Sequence, residues 1–162
     1  MSAKDTSSRL RSDPAGWDDQ LSDLLRTEGH RVTSQRLVMY RALREQDRHI
    51  TADELLLLVA ERLPGLSLPT VYATLDLFEE LGLVRRLATN RGPVRFDSRT
   101  DPHHHTVCRR CGRVDDLSAQ VKLGPAVAAA RRAGFDAAGA ELLVSGLCTG
   151  CAALEIRGRA RG

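Results

Sequence analysis

The sequence predicts an α+β fold in two domains, a winged helix-turn-helix domain followed by a small α/β domain that carries paired cysteines. Up to Asp97 it shows four helical patterns and then two strand-like runs. Beyond residue 100, short strand-like runs surround one Ala-rich helical segment, and all four cysteines lie there in two Cys-x-x-Cys pairs. A chain of 162 residues is long enough for two small domains.

The composition excludes several classes of protein. Hydrophobic residues make up 42% and charged residues 28%, which is typical of a soluble globular protein. Aromatic residues make up only 4%, which disfavours a stacking platform for single-stranded nucleic acid. Because no apolar run is long enough for a membrane helix and the N-terminus lacks an apolar signal core, we expect a cytoplasmic protein without membrane contact.

The first two helices are recognised by their apolar spacing and by their ends. Residues 1–14 are rich in Ser, Arg and Asp, and we predict that they form a flexible tail. A first helix follows from apolar residues at helical spacing, which are Trp17, Leu21, Leu24 and Leu25. Gly29 would end this helix, and Thr33 would cap a second one.

The third and fourth helices have clear start and stop residues. Thr51 and Glu54 form a capping box for a helix from Ala52 to about Leu63, which the following Pro-Gly pair would stop. Ser67 would cap the fourth helix, predicted over Leu68–Leu81.

A hairpin pattern follows the helices, with strand-like runs at Leu83–Leu87 and Val94–Asp97 around a turn at 89–93. Three helices and a hairpin after a leader helix are the layout of a winged helix-turn-helix domain, whose fourth helix here would be the recognition helix that reads DNA. We therefore predict a DNA-binding domain at 15–99, although a small α+β core without a binding role has the same pattern. The second domain, at 100–162, has strand-like runs at 103–107, 113–117 and 141–146 and a helix at about 125–133.

The net charge of +3 does not by itself indicate nucleic acid binding. Residues 1–96 hold 14 Lys or Arg and 14 Asp or Glu, so the half assigned to DNA is neutral. A basic patch there must be local, and an ordinary solvated surface is the alternative. The arginines that could form it are Arg31, Arg36 and Arg41, or Arg85, Arg86, Arg91 and Arg95.

The cysteines predict a structural zinc site. Cys108 and Cys111 form one pair, and Cys148 and Cys151 form the other, with 36 residues between the pairs. Two such pairs complete a tetrahedral four-cysteine site, which leaves no position for a substrate. Disulfides are disfavoured without a secretion signal, and a thioredoxin-like motif is disfavoured because neither pair precedes an obvious helix.

Histidines and aspartates predict a second metal site. In a strand, His103 and His105 share one face, and Asp115 or Asp116 would lie opposite on the next strand. The candidate ligands come from both domains and are His49, Asp97, His103, His105 and Asp116. Nitrogen and oxygen donors without thiolate suit Fe²⁺ or Mn²⁺, and Zn²⁺ could also occupy the site. A metal shared by two domains would set the angle between them, although singly these residues are ordinary surface or turn residues.

These residues resemble the ferric uptake regulator (Fur) family over about residues 18–152. The motifs that carry the resemblance are Gly29-His-Arg-Val-Thr-Ser-Gln-Arg36, Thr51-Ala-Asp-Glu54, Leu68-Pro-Thr-Val-Tyr72, Glu80-Leu-Gly-Leu-Val84, His103-His-His-Thr-Val-Cys108 and the two cysteine pairs. The resemblance implies a homodimeric, metal-dependent DNA-binding repressor with an α/β dimerisation domain and zinc held by the four cysteines. It also implies that Arg31, Thr70 and Tyr72 contact DNA, and a two-fold dimer would bind a pseudo-palindromic operator in double-stranded DNA.

Aspartate at both 97 and 116 resembles the peroxide-sensing branch of the family, since the iron-sensing branch usually has Glu at the matching positions. The resemblance implies that Fe²⁺ reacts with hydrogen peroxide and oxidises His49 or His103, after which metal and DNA are released, whereas Mn²⁺ represses without that chemistry. An iron- or manganese-responsive uptake repressor that ignores peroxide is the alternative. Ala73 replaces the Arg or Asn of many members, so the operator would differ.

Two functions of other classes are alternatives to a repressor. A metallohydrolase needs an open coordination position and a base near a bound water. Five protein ligands leave little room for either, so we expect that the protein is not an enzyme. A thiol redox protein would use the cysteines, and stoichiometric zinc under reducing conditions would argue against it.

Overall fold

The computed structural model describes residues 16–46, 48–87 and 92–159, and the contacts among them divide the chain into two units. The first unit runs up to the gap at 88–91 and also takes Pro93–Asp101, while the second takes Gly92 and the residues from Pro102 onward. The predicted tail at 1–14 and most of the predicted turn at 89–93 lie outside the described residues.

The first unit is a four-helix core with a short hairpin. Its elements are α1 (Trp17–Thr27), α2 (Ser34–Arg44), α3 (Ala52–Val59), α4 (Leu68–Glu80), β1 (Arg85–Leu87) and β2 (Arg95–Asp97). The strands β1 and β2 pair in antiparallel fashion. The core is filled by fully buried side chains from all four helices, and the rings of Tyr40 and Phe78 meet edge to face with their centroids 5.6 Å apart. This element order is that of a winged helix-turn-helix, as predicted.

The helix starts follow the sequence signals with one exception. The Thr33 hydroxyl accepts a hydrogen bond from the Arg36 amide, and both bonds of the Thr51–Glu54 capping box are present. Ser67 occupies the cap position of α4, but the prediction that its side chain caps the helix is wrong. Its hydroxyl instead lies 2.9 Å from the Thr70 hydroxyl, so the two side chains satisfy each other.

The third helix is shorter than predicted, since it ends at Val59 and not near Leu63. Pro64 has no N–H to bond the Ala60 carbonyl, and its ring would clash with that carbonyl, so a regular helix cannot run up to the proline. The amides of Arg62 and Leu63 bond back to the Val59 carbonyl, so the turn that follows still satisfies the helix end.

The second unit is a three-stranded sheet with two helices. Its elements are β3 (His104–Cys108), β4 (Val114–Leu117), α5 (Gly124–Arg132), β5 (Leu143–Gly146) and α6 (Thr149–Arg159). The strand order is β4-β3-β5, with β4 antiparallel and β5 parallel to β3. The strand β5 is therefore an edge strand of the described sheet, and its Leu143 and Val144 are exposed.

The helix α6 corrects the sequence analysis, which found no obvious helix next to either cysteine pair. It begins at Thr149, inside the second pair. Its apolar residues do not form a stripe along one face, and Leu154 and Ile156 are both exposed. The spacing of apolar residues therefore does not indicate a helix here. Among the described residues, none of the helices combines the length and the apolar character that crossing a bilayer requires.

A short bridge ties the wing to the segment before α3. Ile50 and Phe96 exchange two backbone hydrogen bonds, of 3.2 and 2.8 Å, and both side chains are buried in the core. The Arg95 guanidinium extends the bridge by donating to the His49 carbonyl at 3.1 Å and to Glu54 at 3.3 Å. The start of α3 is therefore held by the wing as well as by its own cap.

Glu54 is the carboxylate at the centre of this arrangement. Burial acts to raise its pKa, but the Thr51 amide, Arg48 and Arg95 outweigh burial, and the pKa lies below its ordinary value. A carboxyl whose pKa is lowered on folding contributes stability above its ordinary titration range, and that stability is lost as the pH falls through the folded pKa.

We expect Glu54→Ala to lower the free energy of unfolding by about 1 kcal/mol, because it removes half of the capping box and the contacts with two arginines. The deficit should narrow as the pH falls through the folded pKa of Glu54, because protonation weakens those contacts in the wild type. Chemical denaturation across this pH range measures both effects. The exposed Glu61→Ala is the matched control, and an equal loss in that variant would contradict a role for the cap.

Candidate metal centres

The four cysteine sulfurs lie together in the second unit. Cys108 ends β3, Cys111 follows in the turn, and Cys148 and Cys151 flank the start of α6. All four sulfurs lie within 4.8 Å of one another, and the Cys111 and Cys148 sulfurs are 3.8 Å apart. Tetrahedral zinc with Zn–S distances of about 2.3 Å places its sulfurs about 3.8 Å apart. The donor set and its spacing therefore fit a zinc ion held by four thiolates.

The electrostatics of the cluster also call for a cation. Backbone amides, first that of Cys111 and then that of Cys148, lower the pKa of Cys108 to about 6. Burial, followed by hydrogen bonds with the neighbouring sulfurs, raises the pKa of Cys151 to about 12. One thiolate therefore forms readily, while burial makes the other resist ionisation. A positive ion between the sulfurs would stabilise all four as thiolates.

The helix α6 follows β5 closely and begins inside the second cysteine pair, so the expectation that neither pair precedes a helix is wrong. A Cys-x-x-Cys pair at the start of a helix after a strand is the setting of a dithiol motif. The second pair does not stand alone, however, since Cys108 and Cys111 approach Cys148 and Cys151 to within coordination range of a shared ion. A closed set of four sulfurs favours metal binding over dithiol exchange.

The first unit brings His49 and Asp97 together. The bridge between Ile50 and Phe96 makes their neighbours face each other across an antiparallel pair, where side chains lie close on one side. His49 Nε2 lies 3.5 Å from Asp97 Oδ2, and both side chains are buried. The other carboxylate oxygen, Oδ1, accepts a hydrogen bond of 2.7 Å from the Arg99 amide, which fixes the orientation of the carboxylate.

The second unit brings His103, His105 and Asp116 together. His105 and Asp116 are register partners on β3 and β4, and His103 Nε2 lies 3.2 Å from Asp116 Oδ1. The two imidazole rings are buried, with their centroids 4.3 Å apart. Of the two aspartates left open by the sequence, Asp116 belongs to this group, whereas Asp115 pairs with Thr106 in the sheet and with Arg113 through its side chain. A third histidine of the run, His104, uses Nδ1 to accept from the Leu142 amide.

These two groups offer imidazole nitrogens and carboxylate oxygens without any thiolate. Such donors suit Fe²⁺, Mn²⁺ or Zn²⁺. Asp97 is only 6% exposed, and a divalent ion next to it would stabilise the charge of its buried carboxylate. The residues present in each unit therefore fit part of a metal site.

The residues assigned to DNA are placed as surface residues. Arg31 is exposed just before α2, Tyr72 is exposed on α4, and Thr70 is half-buried nearer the start of that helix. The Thr70 carbonyl accepts from the Thr74 hydroxyl at 3.0 Å.

Sequence reasoning missed the residues that support these side chains. Arg95 bonds the His49 carbonyl and Glu54, and the Arg99 amide bonds the Asp97 carboxylate. None of these supporting residues is among the predicted site residues. The one usable signal was the capping box, since it placed Glu54 next to the segment that contains His49. The partner across the bridge depends on a long-range register that no local pattern encodes.

A model of the family described as "Ferric uptake regulator family" matches residues 27–145. The ferric uptake regulation protein 1 of Mycolicibacterium fortuitum is 37% identical over 121 residues, which are 74% of each chain. The peroxide-responsive repressor PerR of Staphylococcus epidermidis is 36% identical over 93 residues, which are 57% of this chain and 62% of that protein.

Solved structures agree with this assignment. The ferric uptake regulator of Vibrio cholerae aligns with a TM-score of 0.66 and 28% identity, covering 79% of this chain and 99% of that one. A zinc uptake regulator complexed with zinc and DNA aligns with a TM-score of 0.62 and 26% identity, covering 90% and 99%. The family match spans well over half of the chain, and the chain belongs to the ferric uptake regulator family of metal-responsive DNA-binding transcription regulators.

Proposed function

We propose that the protein is a cytoplasmic, homodimeric repressor that binds DNA when its regulatory metal is bound, and that it senses hydrogen peroxide through iron-catalysed oxidation of ligand histidines. The observation that carries this proposal is a pair of histidine–aspartate groups, one in each unit, in which every member except the exposed Asp116 is buried. His49 with Asp97 and His103 with Asp116 lie at distances of 3.5 and 3.2 Å.

The two groups are proposed to bind one ion together. The first supplies two ligands and the second three, so neither alone completes the five- or six-fold shell common for Fe²⁺ or Mn²⁺. Only the five residues at 98–102 separate Asp97 from His103 in the chain, which keeps the groups within reach of each other. Two carboxylates would balance the charge of a divalent cation. The full proposed ligand set is His49, Asp97, His103, His105 and Asp116.

Binding across both units would link metal occupancy to DNA affinity. A ligand shifts an equilibrium between arrangements only through a difference in its affinity for them, and an ion held by both units has such a difference. The exposed edge strand β5, with Leu143 and Val144, offers a surface for pairing with a second copy. Two recognition helices related by a two-fold axis would then read a pseudo-palindrome, with Arg31, Thr70 and Tyr72 proposed as contacts.

The cysteine cluster is proposed to bind a zinc ion that stabilises the fold of the second unit. The loop from Cys111 to Cys148 contains β4, α5 and β5, so an ion bound at both ends would close the second unit. Binding of this kind contributes on the order of 10 kcal/mol to the apparent folding free energy.

We expect Cys111→Ser to lose its zinc and to unfold at a markedly lower temperature, because three thiolates hold the ion far less tightly. Elemental analysis of the purified protein and thermal unfolding under reducing conditions measure both. Arg109→Gln, which lies between Cys108 and Cys111, is the control and should keep one zinc per chain. Full zinc content in Cys111→Ser would contradict the four-cysteine assignment.

Adjacent aspartates on β4 allow a sharp test of the regulatory site. We expect Asp116→Asn to weaken Mn²⁺ affinity by at least about tenfold and to reduce Mn²⁺-dependent DNA binding in step, because a ligand loses its charge. Asp115→Asn changes the same charge on the other face of the strand and should leave both quantities unchanged. Equal effects of the two variants would count against the ligand set. Metal titration and DNA-binding isotherms on the zinc-loaded protein provide the measurements.

The peroxide response is proposed to reside in the ligand histidines. Bound Fe²⁺ would supply the electron transfer that lets peroxide attack a neighbouring imidazole, which Mn²⁺ does not. One peroxide oxygen would then replace a hydrogen on a ring carbon of His49 or His103 as a hydroxyl group, and the other oxygen would leave as water. The oxidised ring binds metal poorly, so the two units would lose their shared ion and DNA would be released.

We expect the Fe²⁺-loaded protein to lose DNA binding after peroxide and to gain one oxygen atom on the peptide that contains His49 or His103. The Mn²⁺-loaded protein should keep both its DNA binding and its mass. Asp116→Glu should blunt the response while metal-dependent binding persists. Peptide mass mapping beside DNA-binding assays gives the result, and release of DNA through cysteine oxidation with both histidines intact would overturn the peroxide assignment.

A second candidate is an iron- or manganese-responsive uptake repressor that ignores peroxide. It is favoured by the similarity to the ferric uptake regulation protein of M. fortuitum, which extends over more of the chain than the similarity to PerR of S. epidermidis. The peroxide experiment separates the two candidates, since an uptake repressor would keep both histidines unoxidised and its DNA bound.

A further inference from the structure

The helix α4 has an unusual charge for a helix that approaches DNA. Its thirteen residues, Leu68–Glu80, include no Lys or Arg, whereas Asp76, Glu79 and Glu80 fall in its second half. Tyr72, Asp76 and Glu79 are spaced by four and three residues, so they lie on one face of the helix. The face that carries the proposed DNA contact therefore also carries two carboxylates, which a phosphate backbone repels.

A single side chain from the wing spans these carboxylates. The Arg86 guanidinium pairs with Asp76, and its Nε lies 3.0 Å from Glu79 Oε2. The same guanidinium lies over the ring of Phe96, with its carbon 5.4 Å from the ring centroid. Because Arg86 and Phe96 are register partners in the hairpin, the strand pairing itself aims the guanidinium at the helix.

We propose that Arg86 is a positioning and charge-neutralising residue for DNA binding, which acts through Asp76 and Glu79 and not by contacting phosphate. The inference rests on the proposed DNA-binding function. Four groups meet at one place: the Arg86 guanidinium, the two carboxylates on the face of α4 that carries Tyr72, and the buried Phe96 ring. A guanidinium held in this way offsets the repulsion that two exposed carboxylates would exert on the duplex, and it fixes the wing against the recognition helix.

The role proposed for Arg86 differs from that of an ordinary phosphate-binding arginine. An arginine that binds phosphate loses its contribution when it is replaced, whatever its neighbours are. An arginine that masks two carboxylates becomes dispensable once those carboxylates are neutral. The two roles therefore differ in a double-mutant cycle between Arg86 and the acidic pair.

The experiment uses the zinc- and Mn²⁺-loaded full-length protein and a duplex carrying the site that the wild type selects from a random-sequence library. Arg86→Gln removes the charge but keeps a hydrogen-bond donor against the helix. We expect it to weaken binding by about three- to tenfold, as for the loss of one or two compensating charges at moderate salt. In the Asp76→Asn/Glu79→Gln background, the same change should alter affinity by less than about twofold.

Control variants distinguish a loss of charge compensation from a loss of folding. Arg62→Gln removes an exposed arginine of the same charge outside the cluster and should show no coupling to the acidic pair. Thermal unfolding of each variant shows whether it is folded, and Arg86→Lys supplies a folded variant that should restore part of the affinity. An undiminished loss for Arg86→Gln in the neutral background would overturn the proposal. Absence of metal-dependent binding by the wild type to any library member would overturn the proposed function instead.

Discussion

The thiols of Cys108 and Cys151 and the carboxylate of Asp97 pose the same physical problem, because each would place negative charge where water has little access. Four sulfurs lie within 4.8 Å of one another, and Asp97 is 6% exposed. Uncompensated charge in such places is costly enough that a protein either keeps the groups neutral or surrounds a cation with them. The second unit contains the cluster of sulfur donors, which suits a softer ion such as zinc. Nitrogen and oxygen donors lie in both units and suit harder ions such as Fe²⁺ or Mn²⁺.

The exposed face of α4 also carries negative charge that has to be offset, but at a lower cost than in a buried site. Asp76 and Glu79 are solvated, so a neighbouring side chain is enough to offset them, and Arg86 does so from the wing. Compensation at this site comes from within the chain, whereas a metal ion bound at the buried sites would come from solution. Occupancy of the proposed regulatory site would then follow the metal supply.

The bridge between Ile50 and Phe96 serves two purposes at once. It buries two apolar side chains in the core of the first unit, and it turns the neighbouring His49 and Asp97 toward each other. The Arg95 guanidinium then joins the His49 carbonyl to Glu54 at the start of α3. The proposed metal ligands of this unit thus lie on the same backbone pairing that holds the wing. A shift of these ligands would therefore move the wing as well.

Local features of the sequence determined most of the first unit and the identity of the candidate ligands. The Thr51–Glu54 box, the cap at Thr33 and the apolar spacing of the helices depend on residues within one turn of each other, so they could be read directly. The spacing of the cysteine pairs and the alternation of His103 and His105 in a strand are local in the same sense. Tertiary structure alone decided the rest. It chose Asp116 over Asp115, paired His49 with Asp97, began α6 within the second cysteine pair and set Arg86 against Asp76, because each depends on strand register or packing between segments that are distant in the chain.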